Sequence, residues 1–295
     1  MSRIFEMLYK SKGEVADTVR PVVEMETGLP EAAVAAAAQP QEEAPPAAAP
    51  LFPQIRTWNV RIAAPSPLLP FEEWRPSEQY RILRTKISHH PRQPRMIVIS
   101  SPASGEGKTV TAINAAGTLA LKSEGKVLLL DTDLRRSAIH TQLGLPLSPG
   151  LTEVLMGASS LEEALVNVAE LPNLYVLPGG KRQANPAELL DSAQWRSLAA
   201  KLRELFQYVI SDSPPVGAVA DYDLIQAVCD GVILVVRPDH TNRHLCQKAL
   251  EIIPKNKFLV VLLNCVPDWS PSKYVGSDYY YSSEKELAAS DGGAA

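Results

Sequence analysis

Lys108 and Thr109 stand behind two closely spaced glycines in the decapeptide Ser-Ser-Pro-Ala-Ser-Gly-Glu-Gly-Lys-Thr (100–109), an order of residue types that suits a bound phosphate chain. Gly105 and Gly107 permit backbone conformations closed to other residues, so successive N–H groups can turn toward one anion. A helix starting at Lys108 would add its positive end. Ser104, Gly105, Glu106, Gly107, Lys108, Thr109 and Val110 are the candidate nucleotide-binding residues. The Lys108 ammonium would reach the outer phosphates, and the Thr109 hydroxyl would take one position on Mg²⁺. The first glycine of the generic pattern G-x-x-x-x-G-K-[ST] falls on Pro102, so the loop is a variant. An ordinary glycine turn is the alternative.

Carboxylates complete this chemistry. Asp131 and Asp133 follow the apolar run Lys126-Val127-Leu128-Leu129-Leu130, and Asp212 follows Tyr208-Val209-Ile210-Ser211. Single aspartates at strand ends are commonly structural. Three beside a phosphate loop fit a Mg·nucleotide site, which needs carboxylates to hold the ion, directly or through its waters. Asn264 closes another apolar run on the same rim.

These side chains need strands and helices to bring them together. The apolar segments 95–100, 126–130, 174–177, 207–211, 231–236 and 258–264 read as strands. Helical patterns fall at 77–87, 108–122, 160–169, 186–204, 221–228 and 242–252, with Ser77 as N-cap of the first and Gly125 ending the second. Alternation of this kind, with unbroken apolar strands, predicts a doubly wound, mostly parallel α/β sheet with helices on both faces. Such sheets bind ligands at the carboxyl ends of their strands, where the loop and the aspartates fall.

Composition organises the rest of the chain. Between Glu31 and Pro50 there are ten alanines and four prolines, which cannot build a specific core. The segments are therefore 1–30, a short amphipathic stretch; 31–70, an Ala/Pro-rich linker; 71–270, the folded domain; and 271–295, a flexible tail. Ile4, Phe5 and Leu8 share one helical face beside Arg3, Lys10 and Lys12, which suits a docking or membrane-surface segment as well as a frayed terminus. Residues 1–50 carry the whole net charge of −4, which leaves a neutral body and no bulk argument for nucleic-acid binding. The longest apolar runs are of strand length, and no secretory segment follows the start, so the expected location is cytoplasmic. Cys229, Cys246 and Cys265 are too few and too scattered for a disulfide framework or a zinc site, and read as buried small hydrophobes. Glu78, Arg81 and Arg84 recur every third residue along one helix strip, either a solvated salt-bridged face or a subunit contact.

Taken together, residues 72–281 resemble the bacterial tyrosine kinases (BY-kinases) of the CpsD/CapB type, within the MinD/ParA-like group of P-loop ATPases. The loop 100–109 is similar to that family's Walker A motif. Leu-Leu-Leu-Asp-Thr-Asp-Leu-Arg-Arg (128–136) is similar to its Walker A′ motif, and Val-Ile-Ser-Asp-Ser-Pro-Pro (209–215) to its Walker B. The block 177–190 supports the match. Glu78, Arg81 and Arg84 match the E-x-x-R-x-x-R motif used for ring assembly, which favours the subunit-contact reading. Tyr274, Tyr279, Tyr280 and Tyr281 match the C-terminal tyrosine cluster, where autophosphorylation occurs. Ser104 and Gln207 depart from the usual residues, and the tyrosine cluster is short.

The resemblance implies ATP and Mg²⁺ as cofactors and γ-phosphoryl transfer to tail tyrosines of a neighbouring subunit, in the service of capsule or exopolysaccharide export. Catalysis would rest on Lys108, Asp131, Asp133 and Asp212, with Thr109, Asp133 and Asp212 at the metal and Asp131 to orient or deprotonate the incoming hydroxyl, Asp131 and Asp133 being interchangeable. From Pro267 to Tyr279 the chain can span at most ~40–45 Å at ~3.3–3.6 Å per residue, enough to enter an adjacent site. The implied partners are further copies of the chain in a ring, a separate membrane-spanning polysaccharide co-polymerase that activates it at the inner membrane face, and a cognate tyrosine phosphatase. An ATPase switch of the MinD/ParA kind and a nucleotide-binding scaffold without kinase activity are the alternatives.

Overall fold

Residues 55–59 and 74–266 are described by a computed structural model of the chain, the side chains of 74–77 excepted. Strand β1 (Arg56–Trp58) comes first, followed by helix α1 (Trp74–Ser88), β2 (Met96–Ser100), α2 (Lys108–Ala120) and β3 (Val127–Asp131). Short helices α3 (Ile139–Leu143), α4 (Leu151–Leu155) and α5 (Leu161–Ala164) lead to the hairpin of β4 (Val166–Val168) and β5 (Leu171–Leu177). The order continues with α6 (Pro186–Leu190), α7 (Ala193–Leu205), β6 (Tyr208–Asp212), α8 (Asp221–Val228), β7 (Gly231–Val236), α9 (Arg243–Ile252) and β8 (Phe258–Leu263).

Eight strands form one sheet in the order β1-β4-β5-β3-β6-β2-β7-β8. Pairing is parallel throughout except between β4 and β5, so β1 and β4 run against the other six. The central strands β2, β3, β6 and β7 are covered on both faces, which is why they read as continuous apolar runs. Side chains alternate across a strand: Ile97, Ile99, Val127, Leu129 and Ile210 share one core with Leu83 of α1 and Ile113 and Leu119 of α2. Val98, Leu128 and Val209 are buried on the opposite face, where α7 packs on β6 and α8 on β2. Trp195 of α7 is fully buried there, and its replacement by Ala would cost ~3–5 kcal/mol. The fold is the mostly parallel, helix-flanked sheet expected.

Several local expectations need correction. Strand β1 lies inside the stretch read as linker 31–70 and pairs with β4, so the compact unit begins at Arg56 and not near Phe71. Ser77 lies within α1 and not at its N-cap. The helix expected over 160–169 stops at Ala164, because Leu165 is extended and Val166 enters the sheet. The helix expected over 186–204 is two helices, divided at Ser192, whose hydroxyl accepts the Trp195 N–H and caps α7. Helix α2 ends at Ala120 and not beside Gly125. Gly125 instead lets the chain pass close to Gln207, whose Oε1 accepts the Gly125 N–H at 2.8 Å. Cys229 and Cys246 are buried, whereas Cys265 is exposed, with a φ of 52°. Residues 1–30 and 271–295 lie outside the described residues, and so do Tyr274, Tyr279, Tyr280 and Tyr281.

Candidate active site

Strand β2 delivers the chain to the glycine loop, and the loop's shape follows from its residues. Gly105 has φ 82° and Gly107 φ 91°, both left-handed. Gly107 is also the N-cap of α2, so the loop runs straight into the free N–H groups of a helix of 13 residues. A Cβ at Gly107 would stand 2.0 Å from Asn264 Nδ2, which donates to the Glu106 carbonyl at 2.9 Å. Glycine is thus required there twice, by conformation and by space. Ser104, Gly105 and Val110 are exposed, Gly107, Lys108 and Thr109 half-buried, and Glu106 fully buried.

The carboxylates arrive on neighbouring strands. Register places Asp131 at the end of β3 opposite Asp212 at the end of β6, and Asp212 opposite Ile99 of β2. Thr109 Oγ1 donates to Asp212 Oδ2 at 2.6 Å, joining the first turn of α2 to β6. Asp212 Oδ1 is buried with no partner. Burial, and then the neighbouring Asp131 charge, push the Asp212 carboxyl up to about 7, against the pull of Lys108 and Thr109.

Asp131 is more engaged. Its Oδ2 accepts the Ser137 hydroxyl at 2.6 Å and the N–H groups of Ala138 and Ile139 at 3.1 and 3.2 Å, at the start of α3. Its Oδ1 is buried and unpartnered. Burial raises this carboxyl to about 6, although the Ser137 and Ile139 donors oppose the shift. Asp133 is nearly buried and accepts the Arg136 N–H at 3.1 Å.

The three aspartates therefore share a rim with Lys108 and Thr109. Among the described residues, however, no three of His, Cys, Asp and Glu close on a single point as a ligand cluster. That arrangement fits Mg²⁺, which is held through one or two carboxylates together with phosphate oxygens and waters. The unpartnered Asp212 oxygen beside the Thr109 hydroxyl supplies such a place.

Local sequence gave no sign of several supporting residues. Arg135 makes a two-pronged ion pair with the buried Asp221 of α8, at 2.8 and 2.9 Å, which fixes the turn after β3. Gly179 lies against Ser137 and Asp131, and a Cβ there would meet Ser137 Oγ at 2.7 Å. Ser137 orients Asp131. Glu78 and Arg81 form an exposed ion pair at 3.1 Å on α1, a weak one because water screens both charges.

The AAA domain family AAA_31 matches residues 94–257. Tyrosine-protein kinase YwqD of Bacillus subtilis is 40% identical over 192 residues, which cover 64% of this chain and 80% of that protein. Tyrosine-protein kinase CpsD of Streptococcus pneumoniae serotype 4 is 36% identical over 67% of this chain and 87% of its own. Among solved structures, the chimerical protein CapA2B2 aligns with TM-score 0.64 and 29% identity, over 70% of this chain and 92% of that one. The VpsO kinase domain aligns with TM-score 0.59 and 30% identity, over 67% and 100%.

The chain belongs to the bacterial tyrosine kinases of the CpsD/CapB type. As a BY-kinase it is an enzyme, an ATP-dependent tyrosine autokinase. Dependence on ATP and Mg²⁺ goes with the family, as do oligomerisation and interaction with a partner in general terms. Among the described residues of this BY-kinase, no helix is long and apolar enough to cross a membrane.

Proposed function

We propose that the carboxyl-end rim of the sheet transfers the γ-phosphoryl group of ATP to Tyr274, Tyr279, Tyr280 and Tyr281 in the tail of a neighbouring subunit. The observation that carries this reading is the hydrogen bond from Thr109 to Asp212 behind a left-handed glycine loop, with one Asp212 oxygen left unpartnered. Asp230, at the opposite rim, has both oxygens engaged.

Phosphoryl transfer asks the protein mainly for positioning and neutralisation of charge. The N–H groups from Ser104 to Val110 hold the phosphates, and Lys108 balances the charge that develops on the transferring group. Thr109 and Asp212, joined by a hydrogen bond, would hold Mg²⁺, with Asp133 as a further ligand. When bound, the ion offsets phosphate charge and fixes phosphate orientation. Asp131 accepts the tyrosine proton through Oδ1. Its carboxyl, raised by burial to about 6, suits a base working near neutral pH, and the three donors on Oδ2 keep it aimed.

The same reading extends to assembly. Glu78, Arg81 and Arg84 on α1 form the strip through which copies associate into a ring, bringing one tail to the next site. A separate membrane-spanning co-polymerase recruits the kinase to the inner face of the cell membrane and activates it, and a tyrosine phosphatase resets it. The output is control of exopolysaccharide synthesis and export.

Purified full-length protein incubated with Mg·ATP and blotted for phosphotyrosine tests the proposal. A strong signal is expected, and replacement of tyrosines 274, 279, 280 and 281 by Phe should abolish it. A signal unchanged in that variant would move the acceptor elsewhere.

A further inference from the structure

Glu106 is fully buried although its neighbours in the loop are exposed or half-buried. It lies between Gly105 and Gly107, both left-handed, and that alternation sends its carboxylate to the rear of the loop, where it is fully buried. There Oε2 accepts the backbone N–H of Arg237 at 2.8 Å and, at short range, the hydroxyl of Thr241. Both belong to the turn that follows β7. The Thr241 N–H donates to the Arg237 carbonyl at 2.8 Å, so the turn is closed on itself before it meets Glu106.

A second tie runs parallel to the first. Asn264, just beyond β8, donates to the Glu106 carbonyl and fills the space beside Gly107. Side chain and main chain of one residue are thus fastened to the carboxyl ends of two strands. The turn also reaches over the front: His240 Nε2 stands 3.9 Å from the point a Gly105 Cβ would occupy.

A carboxylate buried behind a phosphate loop opposes the ligand by its charge, and its Oε1 has no partner, which costs free energy. A nonpolar residue would avoid that cost but would accept neither donor. We propose that Glu106 is a positioning residue: by latching the loop to the Arg237–Thr241 turn it holds the two glycines in their left-handed conformation, so that the nest is formed before nucleotide arrives. The inference rests on reading the loop as the nucleotide site. A latch of this kind acts on affinity, because its loss makes the ligand order the loop itself. It leaves the reacting groups Lys108, Thr109 and Asp212 where they are.

Binding of a fluorescent Mg·ATP analogue, together with KM and kcat for autophosphorylation, tests the latch on the full chain. Glu106→Ala is expected to weaken Mg·ATP binding and raise KM by about 10- to 100-fold, the range for hydrogen bonds to a charged acceptor, with kcat within about 3-fold. Glu106→Gln keeps an acceptor at Oε1 and should recover all but about 3-fold of the affinity. Thr241→Val should give a smaller rise, and adding it to Glu106→Ala should change nothing further, because the shared contact is already gone. Affinity within 2-fold of the parent in a folded Glu106→Ala protein would overturn the latch. So would equal losses in the Gln and Ala variants, which would mean that charge and not the contact matters. If Glu106→Ala does not fold, Thr241→Val decides, and unchanged affinity there overturns the proposal. A parent that binds no Mg·ATP refutes the nucleotide site itself, whereas binding that is equal in parent and variants refutes only the latch.

Discussion

The two rims of the sheet use the same residue type in opposite ways. At the amino ends of the strands, Asp230 accepts the N–H groups of Arg95 and Met96 with one oxygen and the Arg203 guanidinium, at 2.6 Å, with the other. These donors hold its carboxyl below the ordinary range in spite of burial. At the carboxyl ends, Asp131 and Asp212 each keep a buried oxygen with no partner, and burial drives both carboxyls up. At the amino rim the donors satisfy the acid that builds structure, whereas at the carboxyl rim Asp131 and Asp212 keep an oxygen open toward the proposed ligand. The cations divide in the same way. Arg92, Arg95, Arg203 and Lys257 line a recess of about 550 Å³ at the amino rim, yet they donate to main-chain carbonyls, with Arg203 and Lys257 closing the end of α8. Their charge is spent on helix and strand ends. Across the sheet, Lys108 makes no such bond among the described residues.

The sharpest way to break this contrast is to remove one ammonium from each rim. Lys108→Met should lower kcat/KM for autophosphorylation by about 10³-fold, since a preorganised charge at the transferring group is lost. Lys257→Met should leave the rate per folded molecule within about 2-fold while lowering unfolding free energy by ~1 kcal/mol, the worth of the hydrogen bonds it makes. Steady-state phosphate incorporation and urea unfolding measure the two. A Lys108→Met protein working at near the parent rate would refute the chemistry assigned to this rim.

Next in size is the effect of the acids on ligand-free stability. Asp230→Ala strands the Met96 N–H and the Arg203 guanidinium and should cost ~2–4 kcal/mol. Asp212→Asn keeps an acceptor for Thr109 and removes a buried charge beside Asp131, so without ligand it should be neutral or stabilising by up to ~1 kcal/mol, while kinase activity falls away. Denaturant unfolding at pH 8 distinguishes them. Comparable destabilisation by both changes would make Asp212 a structural residue.

The same acids carry opposite pH signatures. Asp131 and Asp212, raised to about 6 and about 7, hold protons in the folded state that the unfolded chain has already lost. Their contribution to stability is therefore greatest in acid and is lost as pH rises through those values. Asp230 is lowered, so its contribution is present above the ordinary carboxylate range and is lost only as pH falls through its folded value. Between pH 5 and pH 8 the ligand-free parent should lose Tm relative to Asp212→Asn, and Mg·ATP should recover more Tm at pH 8 than at pH 6. Parallel Tm curves for parent and variant would remove the raised carboxyl from the account.

What the sequence disclosed follows the reach of each interaction. Strands β2, β3, β6 and β7 were legible because burial on both faces writes an unbroken apolar run, and the Asp131, Asp133 and Asp212 rim followed from where those runs end. Strand β4 was not legible: Val166-Asn167-Val168 continues the apolar spacing of Leu161 and Ala164, and only pairing with β1 and β5 makes it extended. Asp221 gave no local signal because its partner Arg135 lies 86 residues away. Glu106 was legible as part of a loop but not as a latch, since Arg237 and Thr241 are more than 130 residues distant. Cys265 was misread because a lone cysteine carries no mark of the turn that exposes it.

The smallest effect expected concerns α1, where the contrast between satisfied and available groups moves to the surface. Glu78 and Arg81 are 41% and 47% exposed and meet one turn apart at 3.1 Å. Such a pair contributes only ~0–1 kcal/mol, because water screens both charges and ordering two long side chains opposes the contact. Arg81→Ala should therefore shift the unfolding midpoint of dilute protein hardly at all. Its effect should fall instead on self-association, because a charge that does little within its own chain remains available to another. Sedimentation of Arg81→Ala against parent, at low and high salt, separates the two sites of action. Weakened assembly at unchanged stability places the strip between copies, whereas a loss of stability with assembly intact would return it to the ordinary solvated face of a helix.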